Sequence, residues 1–162
     1  MGTDNANRLA FISLLKPEAV KVVTSVTSKK RLFQEIGDLV QTAHGIHAGL
    51  VTEALMAREA LGPTGVGHGV ALPHARLNGI DRVMGAFVLL DKPINFDAVD
   101  RQPVDIAFAL FAPEEAGVEH LKALALVSRT LRDPAVCNKL RANPDASTLF
   151  AILNESKPAK AA

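Results

Sequence analysis

Thr64-Gly65-Val66-Gly67-His68-Gly69-Val70-Ala71-Leu72-Pro73-His74 is the stretch on which the reading of this chain turns. It is short and rich in glycine, and its pattern predicts two brief strands around a turn. Pro73 locks its own φ and biases Leu72 toward an extended conformation, so His74 is expected to leave the end of a strand in a narrowly defined direction. A fixed imidazole with access to solvent can act as a base, a metal ligand or a nucleophile. The glycine run from Gly62 to Gly69 argues against a nucleotide loop, because it follows a helical pattern rather than a strand and no Gly-Lys-Ser/Thr closes it.

Upstream, Leu32, Ile36, Leu39, Val40 and Ala43 recur at spacings of three and four, which predicts an amphipathic helix opening at Ser28 and stopping at Gly45 after His44. A second helix is expected from about His47 to Leu61, ending at Gly62-Pro63. Downstream, Val83 to Leu90 and Val104 to Phe111 are apolar runs bounded by Asp91-Lys92-Pro93 and Ala112-Pro113, and they predict two buried strands. Asn95 to Asp100 between them reads as a loop. Helices follow from about Glu115 to Arg132, from Asp133-Pro134, and from Asn143-Pro144-Asp145 to near Leu153. Strands and helices interleave with no break in composition. The expected fold is therefore a single α/β domain with a mixed sheet of about five strands and helices on both faces.

The bulk properties limit the function classes. At 162 residues, 48% hydrophobic and 22% charged, the chain suits one domain with a substantial core. Eighteen Lys and Arg nearly cancel 17 Asp and Glu, so there is no broad positive field to hold nucleic acid or an anionic membrane. The longest apolar run falls far short of the roughly 20 residues of a membrane span, and the polar start has no signal-peptide core. One cysteine, Cys137, excludes an internal disulfide, fits a reducing cytoplasm and reads as a core side chain.

Five histidines, His44, His47, His68, His74 and His120, are weighed as metal ligands. His44 and His47 straddle a helix stop, and there is no His-Glu-x-x-His and no cysteine pair, so no metal site is expected and those two read as surface histidines. His120 lies in a first helical turn in line with Leu124, Val127 and Leu131, so it should point inward or toward a cleft, where a helix N-terminus welcomes an anion. Arg58, near the end of its helix, can cap orphan carbonyls or hold phosphate oxygens in its fork, six residues before Thr64. Lys29, Lys30 and Arg31 oppose the dipole of the helix they open and read as a solvated face.

The stretch from Thr64 to His74 resembles the active-site signature of IIA components of the bacterial phosphotransferase system, fructose/mannitol type. The resemblance continues through Ser28-Lys29-Lys30-Arg31, Met56-Ala57-Arg58-Glu59, Pro93-Ile94-x-Phe96-Asp97, Val104-Asp105-Ile106 and His120-Leu121. It covers about residues 12–154, leaving an N-terminal extension at 1–11 and a tail at 155–162 that reads as disordered. Among these relatives the nitrogen-regulatory IIA proteins are the most similar. The resemblance implies a cytoplasmic phosphocarrier in which His74 takes a phosphoryl group on Nε2 from an HPr-like carrier, with no cofactor. Arg58 and Thr64 would bind phosphoryl oxygens and His120 would line the pocket. Signalling would run through phosphorylation-dependent binding to targets such as sensor kinases or transporters, and a weak homo-oligomer stays open. A sugar-uptake IIA subunit passing phosphate to a IIB protein is the alternative within the family. Outside it stand a zinc enzyme built on the histidines and a binding module that is never phosphorylated. The sequence departs from the pattern at His68, where nitrogen-type relatives tend to carry Asn and sugar-type relatives can carry an acid. His68 is therefore read as a loop side chain.

Overall fold

The computed structural model describes residues 11–155. Apart from Phe11 and Glu155, the expected N-terminal extension and tail lie outside the described residues. The chain forms a mixed six-stranded sheet covered by helices. A short helix α1 (Phe11–Leu14) and a 3-10 turn (Pro17–Ala19) lead into β1 (Val20–Val23). Helices α2 (Lys29–His44) and α3 (Ala48–Glu59) follow, then β2 (Gly65–Gly67), β3 (Val70–Ala71), β4 (His74–Leu77), β5 (Met84–Ile94) and β6 (Val104–Pro113). Helices α4 (Val118–Arg132), α5 (Pro134–Arg141) and α6 (Ala146–Glu155) close the chain.

The predicted ends are met by the residues that signalled them. The Ser28 hydroxyl accepts from the Arg31 amide at 3.1 Å, and Gly45 adopts a left-handed φ of 74° past the end of α2. His47 precedes α3, its Nδ1 accepting from the Gly49 amide at 3.1 Å, and Asp133 caps α5 ahead of Pro134. The sheet order is β1-β5-β6-β3-β2, with β4 also on β6. β5 and β6 run antiparallel at its centre, β1 is parallel to β5, β3 and β4 are parallel to β6, and β2 is antiparallel to β3.

Met84 to Leu90 and Ile106 to Ala112 are buried without a break, which requires that both faces of the central strands be covered. Phe87 and Phe108 meet edge to face at 6.1 Å between ring centroids, and Phe11 closes on Phe108 at 5.4 Å. Burying each such ring stabilises the fold by about 1.5–3 kcal/mol.

The expected mixed sheet of about five strands is present with six, the strand the sequence did not single out being Val20–Val23, four residues that become a strand only through pairing with Phe87 to Leu90. Three expectations need correction. β5 does not stop at Leu90. It runs through Pro93 to Ile94, which pairs with Val104 across a register irregularity, where a residue with no N–H is tolerated. His74 does not leave the end of a strand but opens β4. Val70 pairs with Ile106 and His74 with Leu110 in one continuous register, so β3 and β4 form a single line along β6, broken where Pro73 cannot donate. The Pro73 carbonyl still accepts from the Leu110 amide at 2.9 Å, which keeps that line in place. Finally, His44 is not a surface histidine. It sits one turn beyond Val40 on the stripe of Ile36 and Val40, and both its ring nitrogens are buried with no hydrogen-bond partner among the described residues. Burial lowers its pKa, with the charge of Lys16 adding to the effect.

Candidate functional site

Three stretches far apart in sequence converge on the imidazole of His74. β4 supplies the ring, the end of α3 supplies Arg58, and the first turn of α4 supplies His120. The His74 ring is half-buried and held at both nitrogens. Nδ1 lies 2.9 Å from the Leu72 carbonyl, and Nε2 lies 3.3 Å from Nε of Arg58. A carbonyl can only accept and a guanidinium can only donate, so these contacts together specify one neutral tautomer. Nδ1 carries the hydrogen and gives it to Leu72, and Nε2 presents its lone pair to Arg58. The Leu72 amide in turn donates to the Thr64 carbonyl at 2.9 Å, tying the Leu72-Pro73 break to the start of β2.

The structure brings Arg58 beside His74. Its Nε meets His74, while its Nη1 donates to the Gly62 carbonyl at 3.1 Å and so holds the turn that follows α3. His120 is 7% exposed, with its ring centroid 5.7 Å from that of His74 and tilted by 54°. Its Nδ1 is buried with no hydrogen-bond partner among the described residues. Burial lowers the His120 pKa first, and the nearby His74 and Arg76 lower it further, so its ring is held neutral. Arg76, two residues along β4, donates to the carbonyls of Glu114 and Ala116 at 3.0 and 2.6 Å and ties β4 to the loop that leads into α4.

Thr64 is buried, 4% exposed, and its donors are engaged inside the protein. Its hydroxyl reaches Glu59 Oε1 at 2.6 Å and its amide reaches Oε2 at 3.0 Å. Glu59 also pairs with Lys29 at 2.9 Å, and the Lys29 ammonium lies 4.6 Å from the centroid of the Phe96 ring. The solvated-face reading therefore fails at Lys29 and holds for Lys30 and Arg31, both exposed. Sequence reasoning passed over Glu59 and this use of Lys29. The available signal was electrostatic: an acid at the C-terminal end of α3 and a base at the N-terminal start of α2 each oppose their own helix dipole. Because α2 and α3 run antiparallel side by side, the two misplaced charges meet.

His68 is exposed in the β2-β3 turn at a left-handed φ of 58°, and its backbone rather than its ring is engaged. Its amide donates to Asp100 at 2.9 Å and its carbonyl accepts from Arg141 at 2.9 Å. Arg141 also forms a forked pair with Asp105, again at 2.9 Å, a contact sequence reasoning did not foresee. Glycine is required at two positions here. A Cβ on Gly69 would lie 2.5 Å from Nη2 of Arg141 at a φ of 79°, and one on Gly65 would lie 2.7 Å from Cβ of Ala98. Among the described residues no group of three or more His, Cys, Asp or Glu is placed to hold a metal, and no helix is long and apolar enough to cross a membrane.

A histidine pinned in one tautomer beside an arginine fork and a second, neutral histidine is suited to taking an anionic group at Nε2. Residues 13–156 match the model of the family described as phosphoenolpyruvate-dependent sugar phosphotransferase system, EIIA 2, and the chain belongs to that family. Within it, the chain is 45% identical to a nitrogen regulatory protein of Bradyrhizobium diazoefficiens over 145 residues, 90% of this chain and 95% of that one. Among solved structures it resembles the nitrogen regulatory protein IIA-Ntr of Neisseria meningitidis, with a TM-score of 0.78, 38% identity, and coverage of 87% of this chain and 97% of that one. It shares its fold with the mannitol enzyme IIA of Escherichia coli, solved in complex with its phosphorylated enzyme IIB. That match has a TM-score of 0.70 at 17% identity and covers 86% of this chain and 98% of that one. Within that family the chain is thus similar to nitrogen regulatory IIA proteins.

Proposed function

We propose that His74 accepts a phosphoryl group on Nε2 from the phosphohistidine of an HPr-like carrier, itself charged from phosphoenolpyruvate. The observation that carries this reading is the bracket around His74, in which Leu72 holds the proton on Nδ1 and Arg58 marks the lone pair on Nε2. In transfer, the Nε2 lone pair attacks phosphorus in line as the bond from phosphorus to the donor imidazole breaks, and the donor ring departs neutral. The acquired positive charge spreads to Nδ1–H, where the Leu72 carbonyl stabilises it. Arg58 Nε–H loses its acceptor when Nε2 becomes bonded and turns to the new phosphoryl oxygens, which its fork fits. A neutral His120 adds no repulsion to the charge developing on His74. The groups that position and stabilise the transfer are the chain's own.

The phosphoryl group brings roughly two negative charges, by analogy with other phosphorylated side chains, to a site flanked by exposed Leu61, Val118 and Leu121. Partners that neutralise that charge would read the phosphorylated state, and partners that need the apolar rim alone would read the other. On this reading the protein is a cytoplasmic regulatory phosphocarrier whose targets include sensor kinases or transporters. The identities to nitrogen regulatory proteins favour it over sugar uptake, in which His74 would pass its phosphate to a IIB protein.

The test is to incubate the protein with enzyme I, an HPr-like carrier and phosphoenolpyruvate. An acid-labile phosphate on the wild type and none on His74→Ala is the expected outcome. Unlabelled wild type with competent cognate carriers would rule the relay out.

A further inference from the structure

The reaction proposed above leaves unexplained a buried carboxylate next in the chain to Arg58. The Glu59 side chain is only 7% exposed, yet three donors converge on it: Lys29 at 2.9 Å, the Thr64 amide at 3.0 Å and the Thr64 hydroxyl at 2.6 Å. Its Lys29 partner is itself largely buried and lies against Phe96. A charge is held in such a place only when it is paired and its lone pairs are filled. Glu59 ends α3 and Thr64 precedes β2, so this carboxylate joins the two ends of the turn at 60–63. The middle of that turn is the Gly62 carbonyl, which holds Nη1 of Arg58 while Nε reaches His74.

We propose that Glu59 is a positioning residue for phosphoryl transfer, stapling the turn at 60–63 so that the Gly62 carbonyl keeps the Arg58 guanidinium on Nε2 of His74. The inference rests on His74 being the phosphoryl acceptor. It also reassigns Thr64. With its hydroxyl hydrogen and its amide both given to Glu59, Thr64 has no donor left for a phosphoryl oxygen and acts through the staple. Lys29 makes the staple tolerable by neutralising it. A guanidinium displaced by the order of an ångström is enough to slow an in-line transfer about a hundredfold.

The test is a double-mutant cycle on Glu59→Gln and Thr64→Val in the full chain, read as single-turnover transfer from the phosphorylated carrier. Each single variant is expected to slow transfer about tenfold or more. The carrier concentration at half-maximal rate should be unchanged, because the docking surface is intact. The double variant should be no slower than the slower single, since both changes break one staple. Multiplying effects would mean that Thr64 acts on the phosphoryl group directly and would overturn the proposal, as would wild-type rates in Glu59→Gln.

A second readout does not depend on transfer. 15N spectra of the His74 ring in the unphosphorylated protein should show the Nδ1–H tautomer in the wild type and a mixture of tautomers in Glu59→Gln and Thr64→Val. An unchanged His74 spectrum in folded variants would overturn the staple even if His74 were never phosphorylated. Failure of the wild type to accept phosphate would strike the parent reading alone. If Glu59→Gln does not fold, Thr64→Val, which keeps the shape of the side chain, carries the same spectroscopic comparison.

Discussion

At His74, a carbonyl that can only accept and a guanidinium that can only donate divide the two ring nitrogens between them. In the sequence Arg58 was ambiguous, because its position near the end of a helix suited both capping and phosphate binding. In the structure its fork meets the Gly62 carbonyl through Nη1 and the His74 ring through Nε at once. Lysine cannot reproduce this, since a single ammonium has no planar pair of donors. Arg58→Lys should therefore retain the fold and the local charge but transfer phosphate about ten- to a hundredfold more slowly, measured as single-turnover transfer from the carrier. Unchanged transfer would return Arg58 to a capping role. Residue type and spacing singled out His74 and Arg58 as candidates, the resemblance supplied their expected roles, and the structure brings the two side chains together. Glu59 was not singled out, because its contacts depend on α2 and α3 lying antiparallel, although its unfavourable place on the helix dipole was a usable sign.

At the scale of elements, the site depends on two interruptions. Pro73 breaks the line of β3 and β4 along β6, and the turn at His68-Gly69 folds β2 back onto β3. Helix ends were readable because Ser28, Gly45 and Asp133 satisfy local backbone groups. The sheet was less readable, since β1 and the far end of β5 exist only through partners distant in sequence. The β2-β3 turn is locked from outside by Arg141, which reaches the His68 carbonyl and Asp105 together. Gly69→Ala would force a Cβ toward Nη2 of Arg141 and place alanine at a positive φ. A loss of about 1–3 kcal/mol in stability is expected from the backbone strain alone, measured as a lowered urea midpoint. No change would mean that the turn relaxes freely and that Arg141 does not fix it.

Across the whole molecule, two histidines on different elements, His44 half-buried and His120 buried, link stability to pH. His44 at the end of α2 and His120 at the start of α4 both have pKa values lowered below the ordinary 6.5, first of all by burial. Above pH 6.5 each is neutral in both the folded and the unfolded chain and contributes no pH dependence. As pH falls below 6.5, the unfolded chain protonates first and is favoured, so stability is lost from there down to the folded pKa values. Asp100 and Asp145, lowered by the hydrogen bonds they accept, act in a separate and more acidic window, below about 3.8. Urea midpoints followed from pH 8 to pH 5 should fall on the acid side, and His44→Asn or His120→Asn should each flatten the fall. Parallel curves for wild type and variants would contradict this. His44 could have been placed in the sequence as a continuation of the Ile36 and Val40 stripe. Its place at the helix stop before Gly45 led instead to its reading as a surface histidine.

The central claim, that Nε2 of His74 is the acceptor because Nδ1–H is committed to Leu72, is tested most directly by 15N and 31P spectra of the protein phosphorylated by its carrier. The account requires phosphorus bonded to Nε2 of His74, with Nδ1 protonated in the free protein. Phosphorus on Nδ1, or on another histidine, would contradict it.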